Sequence, residues 1–172
     1  MPTRVSVVTV SDSSFEGKRA DESGPTLARL VAASEKAHVE LVGDVHVVPD
    51  VFQEIASKLQ ELIPTSDVII TTGGTGFAPR DVTPEATLSV LERRCGGLET
   101  ALHMRSLQAT PMAALSRAVV GIASRTLIIN FPGSVKAVKE CWEVVEKVVD
   151  HAVALICEQD DGSVHRVLGA QS

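Results

Sequence analysis

Residues 67–76 read DVIITTGGTG, a β-branched apolar run that ends in a glycine-rich loop. A run that is apolar on both faces is typical of a buried parallel strand. Similar runs occupy residues 4–10 and 126–131, and segments with apolar residues at helical spacing lie between the runs. Because strands alternate with helices, the sequence predicts an α/β domain with a mostly parallel sheet.

The other elements follow from the same patterns. Residues 38–48 are predicted to form one more extended stretch, residues 118–123 a strand, and residues 11–24 a polar loop. Asp50 and Thr83 have the residue type and position of helix N-caps. Further helices are expected from Pro25, over residues 98–108 and 111–115, and as one long helix after Gly133.

Composition narrows the function. The 172 residues correspond to about one domain, at roughly 150 residues per domain. Only 3% are aromatic and the net charge is −6, which disfavours both base stacking and binding to a nucleic-acid backbone. No apolar run is long enough to cross a membrane. Three widely spaced cysteines favour reduced thiols and the cytoplasm, and the polar tail from Asp160 is expected to be mobile.

Polar clusters follow the predicted strands at their carboxyl ends. Ser11 and Asp12 follow the first strand, Asp50 follows the second stretch, the Gly73–Gly76 loop follows the third, and residues 130–134 follow the last. The carboxyl ends of parallel strands share one edge of a sheet, where α/β proteins bind their ligands. We therefore expect these segments to converge on one cleft.

The glycine loop is the strongest local signal, since glycines let backbone N–H groups approach an anion. Thr72 and Thr75 add hydroxyls, although the loop could also be only a tight turn. Asp81 could hold Mg²⁺ beside phosphates, or support the turn. Asp50 could share that role, or only cap a helix.

Cationic and hydroxyl side chains downstream could contact a phosphorylated ligand. Arg80, the pairs Arg105-Ser106 and Ser116-Arg117, and Ser134 are of this kind, although exposed helix positions explain the two pairs equally well. Taken alone, the residues predict a cleft for a nucleotide or a phosphorylated small molecule, with Mg²⁺ as a possible partner.

The run from Thr71 to Thr87, TTGGTGFAPRDVTPEAT, resembles the molybdopterin adenylyltransferase family, which includes the N-terminal domain of gephyrin. Supporting blocks include residues 10–12, 21–25, 48–50, 115–117 and 127–134, so the resemblance covers nearly the whole chain. It implies a single domain over residues 1–172 with a three-layer α/β/α sandwich. It also implies a homotrimer, and a separate protein for molybdate insertion.

The resemblance implies that AMP passes from Mg-ATP to the terminal phosphate of molybdopterin, with release of pyrophosphate. Asp50 and Asp81 match the family's two acidic positions, and would serve both catalysis and Mg²⁺. The expected nucleotide and phosphate contacts are Ser11, Asp12, Thr72, Gly73, Gly74, Thr75, Gly76, Asn130, Pro132 and Gly133. The expected molybdopterin contacts are Arg80, Ser106, Ser116, Arg117 and Ser134.

The sequence is also compatible with two other functions. Related domains occur in nucleotide pyrophosphatases, which would hydrolyse a dinucleotide without a pterin. The second alternative is a protein without catalytic activity, either a trimeric scaffold or a molybdopterin-binding module. The presence of both Asp50 and Asp81 counts against this alternative.

Overall fold

The computed structural model describes residues 1–158, which form a seven-stranded sheet with helices on both faces. The strands are Thr3–Val10 (β1), Val39–Leu41 (β2), His46–Val48 (β3), Val68–Thr72 (β4), Arg93–Arg94 (β5), Val120–Ala123 (β6) and Thr126–Phe131 (β7). The helices are Asp12–Phe15 (α1), Ser23–Ala32 (α2), Phe52–Leu62 (α3), Thr83–Val90 (α4), Gly96–Ala109 (α5), Val135–Val145 (α6) and Val149–Ile156 (α7). Short 3₁₀ turns occupy Ile63–Thr65 and Pro111–Leu115. The predicted tail from Asp160 lies outside the described residues.

Strand β1 organises the sheet. Strand β4 pairs in parallel with one edge of β1, and β7 pairs in parallel with β4. Strands β2 and β3 share the other edge, with β2 beside residues 3–5 and β3 beside residues 8–10. The single extended stretch predicted over residues 38–48 is therefore wrong, because Gly43 turns the chain at φ +65° between two short strands.

The far side of the sheet is antiparallel. Strands β6 and β7 form a hairpin whose turn holds Ser124 at φ +55°, and β5 pairs with β6. This two-residue strand was not predicted, since Arg93 and Arg94 are both exposed and carry no apolar signal. The sheet is nevertheless mostly parallel, as expected.

Side chains alternate between the two faces and build two cores. Val5, Val7 and Ile70 point to one face, where α2, α5, α6 and α7 pack with Trp142 among their buried residues. Val8 and Ile69 point to the other face, against α3 and α4. The predicted three-layer α/β/α sandwich is confirmed.

Two helical predictions need correction. The long helix expected after Gly133 is two helices, α6 and α7, because the chain leaves helical geometry between Val145 and Val149. The polar loop after β1 contains the short helix α1, whose N-cap Ser11 accepts a hydrogen bond from the N–H of Ser14. Within residues 1–158, no helix combines the length and apolar character needed to span a membrane.

Asp67, just before β4, holds the amino-terminal ends of two central strands together. Its carboxylate accepts hydrogen bonds from the backbone N–H of Arg4 at 2.8 Å and from the Arg4 guanidinium at 2.9 and 3.1 Å. Burial alone would raise the pKa of Asp67, but the hydrogen bonds from Arg4 outweigh it and leave the pKa below its ordinary value.

We predict that Asp67→Asn lowers the free energy of unfolding by about 1 kcal/mol at neutral pH, since a charged hydrogen bond is lost at a half-exposed partner. A lowered pKa stabilises the fold above the ordinary aspartate range and loses that effect as the pH falls through the folded-state pKa. The deficit of the variant should therefore shrink in acid. Urea denaturation at fixed protein concentration, across pH, measures it.

Glu61→Gln is the control, because its exposed carboxylate forms an ion pair with Lys58 only three residues away on the same helix. This variant should unfold like the original chain. An Asp67→Asn deficit that does not depend on pH would contradict the assigned role of the Arg4 interaction.

Candidate active site

Four chain segments leave the sheet at one edge. Because β3 and β4 both run parallel to β1, and β7 runs parallel to β4, their carboxyl ends lie together. Ser11, Asp50, Gly73 and Pro132 are the residues at or just beyond these ends. The convergence predicted from the order of the strands is therefore confirmed.

The backbone at Gly73 touches its neighbours on both sides. Its N–H donates to the carbonyl of Phe131 at 3.1 Å, and the hydroxyl of Thr72 donates to the carbonyl of Pro132 at 2.8 Å. Gly73 has φ +100°, and a Cβ there would collide with the carbonyl oxygen of Val10. A Cβ at Gly133 would lie 3.2 Å from the Cα of Gly73, so glycine permits this crossing of segments.

Asp50 joins the loops after β1 and β3. Its carboxylate accepts a hydrogen bond from the backbone N–H of Asp12 at 2.9 Å, and its own N–H donates to the Asp12 carboxylate at 2.8 Å. The predicted helix cap is wrong, because the N-cap of α3 is Val51 and no side chain caps it. Asp50 is instead fixed at the cleft by a reciprocal contact distant in sequence.

The environment of Asp50 disfavours its charged form. Burial raises its pKa, and the nearby charges of Asp12 and Asp81 raise it further. The hydrogen bond from the Asp12 backbone and the charge of Arg80 act in the opposite direction without cancelling the shift. A carboxylate with a raised pKa beside other acidic groups is a frequent feature of functional sites.

Asp81 sits in a loop that Arg117 holds in place. The carboxylate of Asp81 accepts from the N–H of Ala78 at 3.2 Å. The Arg117 guanidinium donates to the carbonyls of Gly76 at 2.8 Å and Asp81 at 2.7 Å, and it pairs with Glu85. Arg117 was predicted to contact the pterin, yet its donors are used to position the loop.

The predicted cap at Thr83 is also wrong. The N-cap of α4 is Val82, and Thr83 is the first residue of the helix. The Thr83 hydroxyl donates to the carbonyl of Gly73 at 2.9 Å, while the Thr83 N–H donates to the carbonyl of Gly74 at 3.1 Å. Thr83 therefore holds the backbone of the glycine loop through two hydrogen bonds.

Asn130 supports the cleft from inside the sheet and is only 1% exposed. Its amide nitrogen donates to the hydroxyls of Thr71 at 2.9 Å and Thr87 at 3.0 Å, and its oxygen accepts from the N–H of Val119. The side chain was predicted to contact phosphate, but these bonds already use both of its amide hydrogens. The structure gives it a positioning role.

Two cavities open at this edge. We call the first the serine-rich cavity; it has a volume of about 420 Å³ and includes Ser106, Ser116 and Ser134 with residues 73–76 and Asp81. We call the second the β1-side cavity; it has about 350 Å³ and includes Ser11 and Thr72. Both are bounded by Gly73, Gly133 and Ser134, so the two cavities share a wall.

Most of the predicted residues line one or both of these cavities, whereas Asp12, Asp50 and Asn130 line neither. An oxygen of Asp50 nevertheless lies beside Gly74, which lines the serine-rich cavity. Three of the five residues predicted for molybdopterin line the serine-rich cavity, whereas Arg117 holds the loop and exposed Arg80 lines neither cavity. Two further cavities, of about 490 and 470 Å³, lie beside Arg4 and Asp67 at the amino-terminal end of the strands. They contain none of the predicted site residues.

Residues 6–151 match the family described as "Probable molybdopterin binding domain". This chain belongs to that family. The resemblance drawn from the glycine-rich run is thereby confirmed, and the match covers every residue predicted for the site.

Two individual proteins with names from molybdenum cofactor biosynthesis are similar in sequence to this chain. The chain is 44% identical over 167 residues to the molybdenum cofactor synthesis protein cinnamon of Drosophila melanogaster, covering 96% of this chain and 27% of that protein. It therefore spans about a quarter of that relative. It is 35% identical to a molybdopterin adenylyltransferase of Helicobacter pylori, covering 88% of this chain and 86% of that enzyme.

A solved structure gives the same result. The molybdopterin biosynthesis enzyme MoaB from Thermus thermophilus superposes with a TM-score of 0.79 at 42% identity. The match covers 90% of this chain and 96% of that one.

The structure adds residues to the molybdopterin-binding family's cleft that sequence reasoning missed. Arg19 and Asp21 line the β1-side cavity, although no role had been assigned to residues 15–21. Asp21 accepts from the Thr9 hydroxyl at 2.7 Å and from the N–H of Gly24 at 3.1 Å. Its DESGP block was a detectable signal, whereas Thr110 and Glu140, which line the serine-rich cavity, gave none.

We predict that Gly74→Ala destabilises the fold more than Gly17→Ala does. Both glycines have positive φ, +66° and +73°, so either substitution costs about 1–2 kcal/mol of backbone strain. A Cβ at Gly74 would also collide with the Thr83 hydroxyl and lie 3.0 Å from an Asp50 oxygen, whereas Gly17 faces open space. Crowding should add roughly 1–3 kcal/mol at Gly74 only.

Urea denaturation of the two variants, side by side, measures this difference. Equal losses of stability would contradict the close packing described around Gly74.

Proposed function

We propose that this chain is a molybdopterin adenylyltransferase, which transfers AMP from Mg-ATP to the terminal phosphate of molybdopterin and releases pyrophosphate. The observation that carries the proposal is the wall shared by the two cavities at Gly73, Gly133 and Ser134. Two substrates bound on either side of it would bring their phosphates together. The names of the bacterial relatives support the same activity.

The serine-rich cavity is assigned to the pterin and the β1-side cavity to the nucleotide. Each volume lies within the range of ordinary small-molecule sites. Ser106, Ser116 and Ser134 offer hydroxyls to a polar heterocycle and its phosphate. Arg19 brings a cation to the other cavity, where a polyphosphate would bind.

Backbone donors at the shared wall suit phosphate oxygens. Within residues 1–158, no backbone carbonyl or side chain accepts from the N–H groups of Gly74, Thr75, Gly76 or Gly133. Ser134 is the N-cap of α6, which places the positive end of the helix dipole at the same wall. These groups would stabilise the charge that develops on the α-phosphate of ATP during adenylyl transfer.

Asp50 and Asp81 fit Mg²⁺ delivered with ATP. Each uses one carboxylate oxygen to accept a backbone N–H and keeps the other available. Among the described residues no group of three or more acidic, histidine or cysteine side chains could hold a metal. The two carboxylates would therefore bind Mg²⁺ together with substrate phosphates, as this ion prefers. The ion would neutralise the phosphates and the departing pyrophosphate.

The transfer needs no covalent enzyme intermediate. The chain's task is to align two anions and hold the α-phosphate of ATP against the attacking phosphate. Cys141, the thiol nearest to Ser106, is buried, and this burial raises its pKa to about 11. It therefore stays protonated at neutral pH and is a poor nucleophile.

We predict that Asp50→Asn and Asp81→Asn each lower the formation of adenylylated molybdopterin by about 100-fold or more. Product should require the protein, molybdopterin and Mg-ATP together. Pyrophosphate or AMP formed without the pterin would favour a hydrolase, and tight pterin binding without product would favour a scaffold. Asp44→Asn, at an exposed position, is the matched control.

The melting temperature of Asp50→Asn should show that its loss of activity is not caused by unfolding. A raised carboxylate pKa means that the charged form is disfavoured by folding, so the fold is less stable above that pKa than below it. Asp50→Asn should therefore match or exceed the original melting temperature at neutral pH, and the gain should disappear in acid. A lower melting temperature at neutral pH would contradict this account.

We propose further that the chain forms a homotrimer in the cytoplasm and hands its product to a separate molybdate-insertion protein. Exposed apolar side chains on α5 and the following turn, Met104, Leu107 and Met112, support self-association. Free thiols at Cys95, Cys141 and Cys157 support a reducing compartment. Sedimentation equilibrium at micromolar concentration should give three times the chain mass, and a monomer would overturn the trimer.

A further inference from the structure

Glu140 is a largely buried residue whose carboxylate has no role in holding the fold together. It lies on α6, is 8% exposed, and lines the serine-rich cavity. Within residues 1–158, its side chain makes no hydrogen bond and no ion pair. Since no fully buried side-chain oxygen in the described part of the chain lacks a hydrogen-bond partner, the Glu140 carboxylate opens to the cavity. An unpartnered carboxylate on a largely buried side chain that lines a cavity points to a ligand that supplies donors.

None of the nearby cationic side chains forms an ion pair with the Glu140 carboxylate within the described residues. Arg105, on the facing helix α5, pairs with Glu143 at 3.0 Å instead. Lys136 and Lys139, on α6 itself, are exposed and form no ion pair with Glu140. The carboxylate is therefore available to accept hydrogen bonds from whatever occupies the cavity.

The rest of the cavity suits a flat, polar ring. Ser106, Thr110 and Ser116 contribute hydroxyls, and Met112 and Leu115 contribute apolar surface. Polar side chains within a mostly apolar wall fix the orientation of a heterocycle.

We propose that Glu140 is the residue that recognises the pyrimidine edge of the pterin, an inference that rests on the proposed function. A 2-amino-4-oxopteridine presents two adjacent donors on that edge, the ring N3–H and the 2-amino N–H. A carboxylate accepts both at once, in the paired geometry that also joins carboxylates to guanidinium groups. Glu140 thereby selects pterins over pteridines that lack the amino group.

The test compares two probes and two variants. Pterin has the 2-amino group, whereas lumazine has an oxygen in its place and so offers one donor and one acceptor. Glu140→Gln converts a pair of acceptors into one acceptor and one donor. Glu143→Gln, on the exposed side of the same helix, is the matched control. Fluorescence titration gives the affinity of each protein for each probe.

The original chain should prefer pterin to lumazine by about 10- to 100-fold, the factor expected for a hydrogen bond to a charged group. Glu140→Gln should lose or reverse that preference, because glutamine matches the lumazine edge. Glu143→Gln should keep it. ATP affinity should be unchanged in both variants.

Three results would overturn the proposal: an unchanged probe preference in Glu140→Gln, equal binding of both probes to the original chain, or a Glu140→Gln effect limited to oligomeric state. The adenylyl-transfer assay is independent of these titrations. Turnover with an unchanged preference would reject the role of Glu140 alone. A Glu140-dependent preference without turnover would reject the transferase alone.

Discussion

The close approach of three backbone segments at Gly73 is the constraint on which the cleft depends. The segment after β4 passes against the carbonyl of Val10 on one side and against Gly133 on the other. A side chain at either glycine would push these segments apart, and the two cavities would no longer share a wall. The crossing forms only because β1, β4 and β7 are parallel and in register, so that their ends arrive together.

The central strands could be predicted because their signal is local. Strands β1, β4 and β7 are buried on both faces, and a β-branched run records that burial directly. The edge of the sheet could not be predicted in the same way. The division of residues 38–48 into β2 and β3 depends on their sharing one edge of β1, and the existence of β5 depends on β6. Both are pairing effects that no single segment encodes.

The roles of individual side chains in the site were likewise only partly predictable, because they depend on contacts with distant segments. Position and residue type identified Asp50 and Asp81, and their placement at strand ends indicated the cleft. Local rules then assigned Asp50 and Thr83 to helix caps, whereas the structure uses both in contacts with distant loops. Arg117 has the charge of a phosphate ligand, but the carbonyls of Gly76 and Asp81 take its donors. Glu140 appears in the sequence as one charged helix residue among several, and burial alone distinguishes it.

An acidic chain that is proposed to bind two polyanions presents an electrostatic problem. In the cleft, backbone N–H groups and the N-terminus of α6 provide positive potential at the shared wall. The charge of Arg117 lies in the supporting loop, where it donates to the carbonyl of Asp81. Burial disfavours the charged form of Asp50, and the Glu140 carboxylate faces the serine-rich cavity without a partner within residues 1–158. In the proposed complex each would gain a partner, a cation at Asp50 and a pair of N–H donors at Glu140. One carboxylate would thus serve the transferred phosphates through the cation and the other the pterin ring, so that the acidic groups of the chain take part in binding both anionic substrates.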